Sequence, residues 1–70
     1  MSAETRERSE RIAQALAALP EQYEAVLRAK YLELQTVEQI AAVRNETPKA
    51  VESLLTRARA AFRENFASQE

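Results

Sequence analysis

Residues 47–66 read TPKAVESLLTRARAAFRENF, and this stretch predicts one amphipathic helix with a defined start. Thr47 can accept a hydrogen bond from the open N–H groups of a first helical turn, and Pro48 suits the first helical position. At about 100° per residue, one side of the helix carries the apolar set Val51, Leu54, Leu55, Ala58, Phe62 and Phe66. The other side carries Lys49, Ser53, Thr56, Ala60 and Arg63. The first side is predicted to enter the core, and the second is predicted to contact a partner.

A short helix and a tight turn are predicted immediately before this long helix. Thr36 and Gln39 fit the capping-box pattern, in which each side chain caps the backbone of the other residue. The side chains expected to point inward are Val37, Ile40, Ala41 and Val43, with Glu38 and Ala42 pointing outward. Asn45 tolerates the left-handed backbone that such a turn requires, and the small Ala41 lets the two helices approach closely. Residues 36–66 therefore follow the helix-turn-helix plan.

Two further helices are predicted before residue 34. Residues 1–10 are polar and are expected to fray, whereas an apolar seam follows at helical spacing, formed by Ile12, Ala15, Leu16 and Leu19. Pro20 disfavours helical geometry at the preceding residue, so the first helix is expected to end near Ala18 and the second to start at Pro20. The side chains expected on the inner side of the second helix are Tyr23, Val26, Leu27 and Tyr31, with Arg28 and Lys30 towards its other side.

The composition favours a wholly helical domain that lacks the usual catalytic side chains. The 70 residues include no glycine, cysteine or histidine, and only two prolines. The absence of cysteine and histidine excludes disulfides, thiolate nucleophiles, imidazole bases and most transition-metal sites. No apolar run is long enough to span a bilayer, and the polar N-terminus lacks the apolar core of a secretory signal. We therefore expect a single cytoplasmic all-α domain over residues 1–70, with no enzymatic activity, no cofactor and no metal.

The charge is distributed unevenly along the chain. The last predicted helix carries four cations, Lys49, Arg57, Arg59 and Arg63, against the two carboxylates of Glu52 and Glu64, which gives +2. Since the formal net charge of the whole chain is -1, the remaining residues carry -3. A basic helix in an otherwise acidic domain is a weak electrostatic footprint for nucleic acid, so a modest affinity is expected.

Three segments follow one another in a single gap-free register. They are LPEQYEAVLRAKYLE at residues 19–33, TVEQIAAV at residues 36–43 and AVESLLTRARAAF at residues 50–62. Together they resemble region four of bacterial sigma factors of the extracytoplasmic-function group, over about two-thirds of the chain. The most specific features of this resemblance are the Leu-Pro opening at residues 19–20, the spacing to Ile40 and Ala41, and the Arg-Ala-Arg ending at residues 57–59.

The resemblance implies a four-helix domain without a wing, whose last helix enters the major groove of the promoter's upstream (minus-thirty-five) element. It also implies that other surfaces contact the RNA polymerase core during transcription initiation. In such proteins this domain follows a separate promoter-melting domain, so the chain resembles an excised C-terminal domain. The residues implied to contact DNA are Arg44, Thr47, Lys49, Ala50, Glu52, Ser53, Thr56 and Arg57.

Several positions depart from the commonest pattern of that family. Asn45 stands where glycine is usual, Glu46 replaces an aliphatic residue, and Glu-Leu-Gln at residues 33–35 replaces a glycine-containing connector. Glu52 and Leu54 occupy positions where many relatives carry lysine and arginine. A carboxylate repels nearby phosphates, yet glutamate can accept a hydrogen bond from the cytosine amino group. Glu52 therefore either reads a base or marks a domain that no longer binds DNA.

The candidate contacts also have plain structural interpretations. Polar residues on an exposed helix face are commonly only solvated, and Thr47 is first of all a helix cap. Arg59 is expected to cover the core with its stem and to pair its head with a carboxylate. The four aromatic residues are expected at the core or its edge rather than stacked on bases: Tyr23, Tyr31, Phe62 and Phe66.

Three functions fit these patterns. The first is sequence-specific promoter recognition by a sigma factor, which Lys49, Arg57 and the cap favour. The second is a protein-interaction module with a degenerate DNA face, which binds an anti-sigma factor or another regulator and is favoured by Glu46, Glu52 and the negative net charge. The third is the DNA-binding domain of a response regulator, which the Leu-Pro opening and the length of the last helix argue against.

Overall fold

Residues 3–68 fold into four α-helices in the computed structural model, which describes side chains from Arg6 to Ser68. The helices are α1 (Ala3–Ala17), α2 (Glu21–Leu27), α3 (Val37–Arg44) and α4 (Pro48–Ala67), and a π-helical turn (Arg28–Leu32) continues α2. These described residues include no strand. The prediction of an all-α domain with a helix-turn-helix, formed by α3 and α4, is confirmed. The fraying of the first turns stays a prediction, and residues 1–2 lie outside the described residues.

The long helix α4 lies at the centre of the fold, with α1, α2 and α3 packed against it. Val51 and Ala58 of α4 are completely buried, and Ile40 of α3 and Val26 of α2 are nearly so. The same cluster contains Leu16, Leu19, Leu27, Ala41, Leu54 and Leu55. The apolar side of α4 predicted from the sequence is therefore the side removed from water, and the opposite side stays exposed.

Local hydrogen bonds define both ends of α3, and those at its C-terminal end form the turn into α4. The hydroxyl oxygen of Thr36 accepts from the Gln39 N–H (3.1 Å), and the Gln39 side-chain oxygen accepts from the Thr36 N–H (2.8 Å), which confirms the capping box. Asn45 adopts the left-handed conformation, with φ 57° and ψ 44°. The N–H groups of Asn45 and Glu46 bond back to carbonyls in the last turn of α3, an arrangement of the Schellman type. The chain therefore turns sharply into α4.

Leu34 also has a positive φ, again 57°. It follows the π-helical turn, and the next residue, Gln35, donates its N–H to the carbonyl of Ala29 at 3.0 Å. A left-handed conformation costs a residue with a Cβ roughly 1–2 kcal/mol, and the Leu34 side chain is 79% exposed, so burial offsets little of this cost. Leu34 and Asn45 thus both adopt the conformation that glycine tolerates best, one in the connector before α3 and the other in the turn after it.

Tyr31 does not point inward, so that prediction is wrong. The helix that begins after Pro20 is regular only to Leu27, and the next five residues form the π-helical turn. A π turn has a wider hydrogen-bonded ring than an α turn, so the side chains after its start no longer follow the 3.6-residue period. Tyr31 is 51% exposed and Leu32 is 61% exposed as a result.

Val43 is also not a core residue, since 78% of it is exposed. The inner face of α3 is defined by Ile40 and Ala41, which are buried, and by the half-buried Val37. At the helical step, Val43 falls about 110° from the centre of that face, whereas Arg44 falls close to it. The inward prediction for Val43 was wrong because α3 is so short that only one stripe of it meets α4.

Candidate nucleic-acid interface

The N-terminal half of α4 exposes every side chain that does not enter the core. Val51, Leu54 and Leu55 are buried, and this orientation forces the intervening residues outward. The exposed residues are Lys49, Ala50, Glu52, Ser53, Thr56 and Arg57. We call this set the recognition face. Leu54 is 5% exposed and therefore belongs to the core.

The recognition face contains two neighbouring rows of residues at four-residue spacing, which follow the ridges of the helix surface. The Lys49 row consists of Lys49, Ser53 and Arg57, and the Glu52 row consists of Glu52, Thr56 and Ala60. At the helical step, Glu52 lies about 100° around the axis from Ser53. Glu52 is therefore at the edge of the exposed face, beside the cationic row, and not at its centre.

Lys49 and Arg57 have no ion-pair partner within the part of the chain that the structure describes. Arg28, by contrast, pairs with Glu24 one turn earlier, with 3.0 Å between Nε and Oε2. An exposed cation without a carboxylate partner can bind a phosphate without first losing an ion pair. The Lys49 row therefore supplies positive charge that is available to an anionic ligand.

Thr47 acts as the cap of α4, as predicted. Its hydroxyl oxygen accepts from the Ala50 N–H at 3.1 Å, and its carbonyl accepts from the Val51 N–H at 3.1 Å. Pro48 occupies the first helical position. The positive end of the helix dipole consequently lies beside Lys49 and Ala50, where it favours an anion such as a phosphate.

Arg44 does not join the other predicted contact residues. Its Nε donates to Oε1 of Glu46 at 2.6 Å across the turn, in a partly buried ion pair. It also lines a shallow depression towards the connector, together with Ala25, Ala29 and Glu33. A DNA contact by Arg44 therefore stays a prediction that requires this ion pair to open.

A second concave surface lies between α1, the π-helical turn and the C-terminal half of α4. This groove has a volume of about 370 Å³ and is lined by Ile12, Leu16, Leu27, Tyr31, Leu32, Arg59, Phe62 and Arg63. Arg59 donates from its guanidinium to the Tyr31 hydroxyl at 3.0 Å, so its partner is a phenol and not the predicted carboxylate. The groove was not predicted, because it depends on the outward position of Tyr31 and Leu32 after the π turn.

Aromatic and amide contacts hold the C-terminal part of α4 against α1 next to this groove. Phe62 and Phe66 are half-buried and stack with ring centroids 5.9 Å apart, which confirms them as core-edge aromatics. The Arg11 guanidinium lies 5.6 Å from the centroid of the Phe66 ring. The Asn65 side chain donates to the Ala15 carbonyl at 3.4 Å. The groove therefore has a fixed wall on the side of α1.

Two other kinds of site are absent from the described residues. No three potential metal-ligating side chains come together there. No helix in this part of the chain is long and apolar enough to cross a membrane.

The geometry of α3, the turn and α4 defines a helix-turn-helix domain of the kind that presents its second helix to the major groove of DNA. A model of the family described as sigma-70, region 4 matches residues 9–62. The chain therefore belongs to the sigma-70 region 4 family, which confirms the resemblance to region four, and it is a DNA-binding domain of the sigma-factor kind. Searches against curated proteins and against solved structures gave no match.

Proposed function

We propose that this domain recognises the upstream (minus-thirty-five) element of a promoter by inserting α4 into the major groove. Its parent protein would be a sigma factor of the extracytoplasmic-function group, acting in the cytoplasm at transcription initiation. The observation that carries the proposal is the presence of two unpaired cations, Lys49 and Arg57, at the two ends of one exposed row of α4.

The length of the Lys49 row suits a double helix. Residues eight apart on a helix are separated by about 12 Å, which is similar to the roughly 12 Å width of the major groove. Lys49 and Arg57 would bind phosphates or guanine edges, while Ser53 and Ala50 face the base edges between them. Thr47 would approach a phosphate at the start of α4, and Arg44 would contribute only after separating from Glu46.

Selection of duplexes from a random pool by the 70-residue chain tests this function. We expect one sequence motif to be enriched, with modest affinity that falls as salt rises, because the cations replace counterions on the phosphates. Enrichment of no sequence at low salt would overturn the proposal.

We further propose that the apolar groove binds the RNA polymerase core. A sigma-factor domain must contact both promoter and polymerase, and the polar recognition face suits only the first of these. Ile12, Tyr31 and Leu32 are 38%, 51% and 61% exposed, which is an unusual concentration of accessible apolar side chains around one concave surface. The groove lies on the C-terminal half of α4, so both partners can bind together.

Leu32→Glu is expected to weaken binding to the polymerase core roughly tenfold or more, because a carboxylate would lose its water in an apolar contact. The substitution should not unfold the domain, since Leu32 is mostly exposed. Titration of labelled chain with polymerase core measures the effect, and duplex binding by the same variant is the control. Unchanged polymerase binding would contradict this role of the groove.

A regulatory protein is the alternative occupant of the groove, as expected if the domain is a degenerate sigma-like interaction module. That function is favoured by the same apolar surface together with Glu46 and Glu52. It predicts a stoichiometric partner, such as an anti-sigma factor, that Leu32→Glu releases while polymerase binding stays unchanged. If the same chain also selected no duplex, the result would support the interaction module over promoter recognition.

A further inference from the structure

The hydroxyl of Thr56 differs from that of Ser53 in what it can offer to a ligand. The Thr56 hydroxyl donates its hydrogen to the Glu52 carbonyl, one turn earlier, at 3.0 Å. A hydroxyl has one donor hydrogen and two acceptor lone pairs, so the exposed side of the Thr56 oxygen can only accept. The Ser53 hydroxyl has no partner in the described part of the chain and keeps both capacities.

Glu52 adds a second acceptor to the same row. It precedes Thr56 by four residues, so the two side chains are neighbours on the helix surface, and both are exposed. An ionised carboxylate has no hydrogen to donate. Ala60, which completes the row, has no polar side-chain atom. The Glu52 row therefore presents acceptors only, immediately beside the Lys49 row, whose two ends are donors.

We propose that Glu52 and Thr56 read the exocyclic amino groups of neighbouring base pairs, with cytosine facing Glu52 and cytosine or adenine facing Thr56. This inference rests on the proposed insertion of α4 into the major groove and specifies the bases that the helix selects. Cytosine and adenine present amino donors in the major groove, whereas guanine and thymine present only acceptors. If guanine or thymine lay on the strand that faces this row, its acceptor atoms would face the acceptor oxygens of Glu52 and Thr56. These two bases are therefore disfavoured there.

The division between the two rows also explains how a carboxylate is accommodated on a DNA-binding face. A carboxylate that faces phosphates lowers affinity, but one that accepts from cytosine gains a hydrogen bond only with that base. Glu52 lies at the edge of the face, so Lys49, Ser53 and Arg57 keep a continuous row of their own. Glu52 thereby contributes to selectivity at some cost in general affinity.

Duplex selection with variants of Thr56 tests the inference directly. Thr56→Val keeps the branched shape and removes the hydroxyl, and we expect the preference for an amino-bearing base at one position to fall roughly 2- to 10-fold. Thr56→Ser restores the hydroxyl and should retain that preference. Valine and serine are both compatible with an exposed helix position. Circular dichroism would check that each variant is folded.

Glu52→Gln provides the second measurement. A glutamine amide pairs with the N6 and N7 atoms of adenine, so the preferred base at the position next to the Thr56 position should change from cytosine to adenine. Glu64→Gln is the matched control, because it makes the same change at an exposed carboxylate twelve residues further along α4, outside the recognition face, and should leave both positions unchanged.

The outcomes separate this inference from the proposed function. If the unmodified chain enriches a motif and Thr56→Val and Glu52→Gln leave every base preference unchanged, the inference is overturned and promoter recognition stands. A uniform gain in affinity for all duplexes with Glu52→Gln likewise overturns it, since the carboxylate would then act by repulsion alone. If the unmodified chain enriches no motif, promoter recognition fails, and the inference fails with it.

Discussion

Ile40→Ala is expected to lower the free energy of unfolding by about 2–5 kcal/mol, the usual cost of removing a large buried aliphatic side chain. Ile40 is 2% exposed and is among the largest fully buried side chains, where α3 meets α4. A domain of this length has a total stability of only about 4–10 kcal/mol. The variant should therefore be close to its unfolding transition at room temperature, which urea denaturation followed by circular dichroism would measure.

Val43→Ala is the matched control for this prediction. Val43 lies on the same helix, three residues later, and the change also removes aliphatic carbon, but the side chain is 78% exposed. We expect a change within about 0.5 kcal/mol, as for most surface substitutions. Comparable losses for Ile40→Ala and Val43→Ala would contradict the orientation of α3. Comparing the two variants therefore tests whether Val43 points outward, as the structure shows, or inward, as the sequence predicted.

The local signals in the sequence predict the helix-turn-helix well. The caps at Thr36 and Thr47, the left-handed Asn45 and the buried face of α4 all depend on residues within one or two turns of each other. Hydrogen bonds of this kind form between a side chain and the nearest backbone, so their residue types and spacing are sufficient to predict them. The position and orientation of α4 follow from these signals.

The groove could not be predicted in the same way. The π-helical turn at Arg28–Leu32 has no sequence signal comparable to a cap, and it changes the faces on which Tyr31 and Leu32 lie. A regular 3.6-residue period places Tyr31 inside, whereas the structure exposes it and joins it to Arg59. This contact connects residues 28 positions apart, so it depends on tertiary packing and not on local pattern.

The sequence predicts which side chains of the candidate interface are exposed, but it does not predict which hydrogen bonds they make. Periodicity alone places Lys49, Ser53 and Arg57 on the outer side of α4. It does not reveal that Thr56 has already committed its hydrogen to a carbonyl or that Arg44 has a carboxylate partner, because several rotamers fit the same sequence. The first contact leaves the Thr56 hydroxyl able only to accept a hydrogen bond from DNA. The second distinguishes Arg44, which is paired, from Lys49 and Arg57, which are not paired within the described part of the chain.

The double variant Lys49→Ala/Arg57→Ala is expected to have the largest effect on DNA binding. Each phosphate contact by a charged side chain contributes roughly tenfold in affinity, so the loss should be roughly hundredfold at low salt. The slope of log affinity against log salt should become shallower by about 1.8, or about 0.9 for each lost contact. Alanine favours the helix and both positions are exposed, so stability should be unchanged. Fluorescence anisotropy with the selected duplex at several salt concentrations measures both quantities.

The double variant Arg59→Ala/Arg63→Ala separates specific contacts from net charge. It removes the same two charges from the same helix, but both arginines line the groove, and Arg59 already donates to Tyr31. We expect only a small loss of affinity and an unchanged salt slope, because charges far from the duplex are largely screened at physiological salt. Equal effects of the two double variants would mean that DNA responds only to the total charge of α4. If only Lys49→Ala/Arg57→Ala lowers the affinity, the phosphates lie at the two ends of the Lys49 row. The base edges would then lie between those two ends.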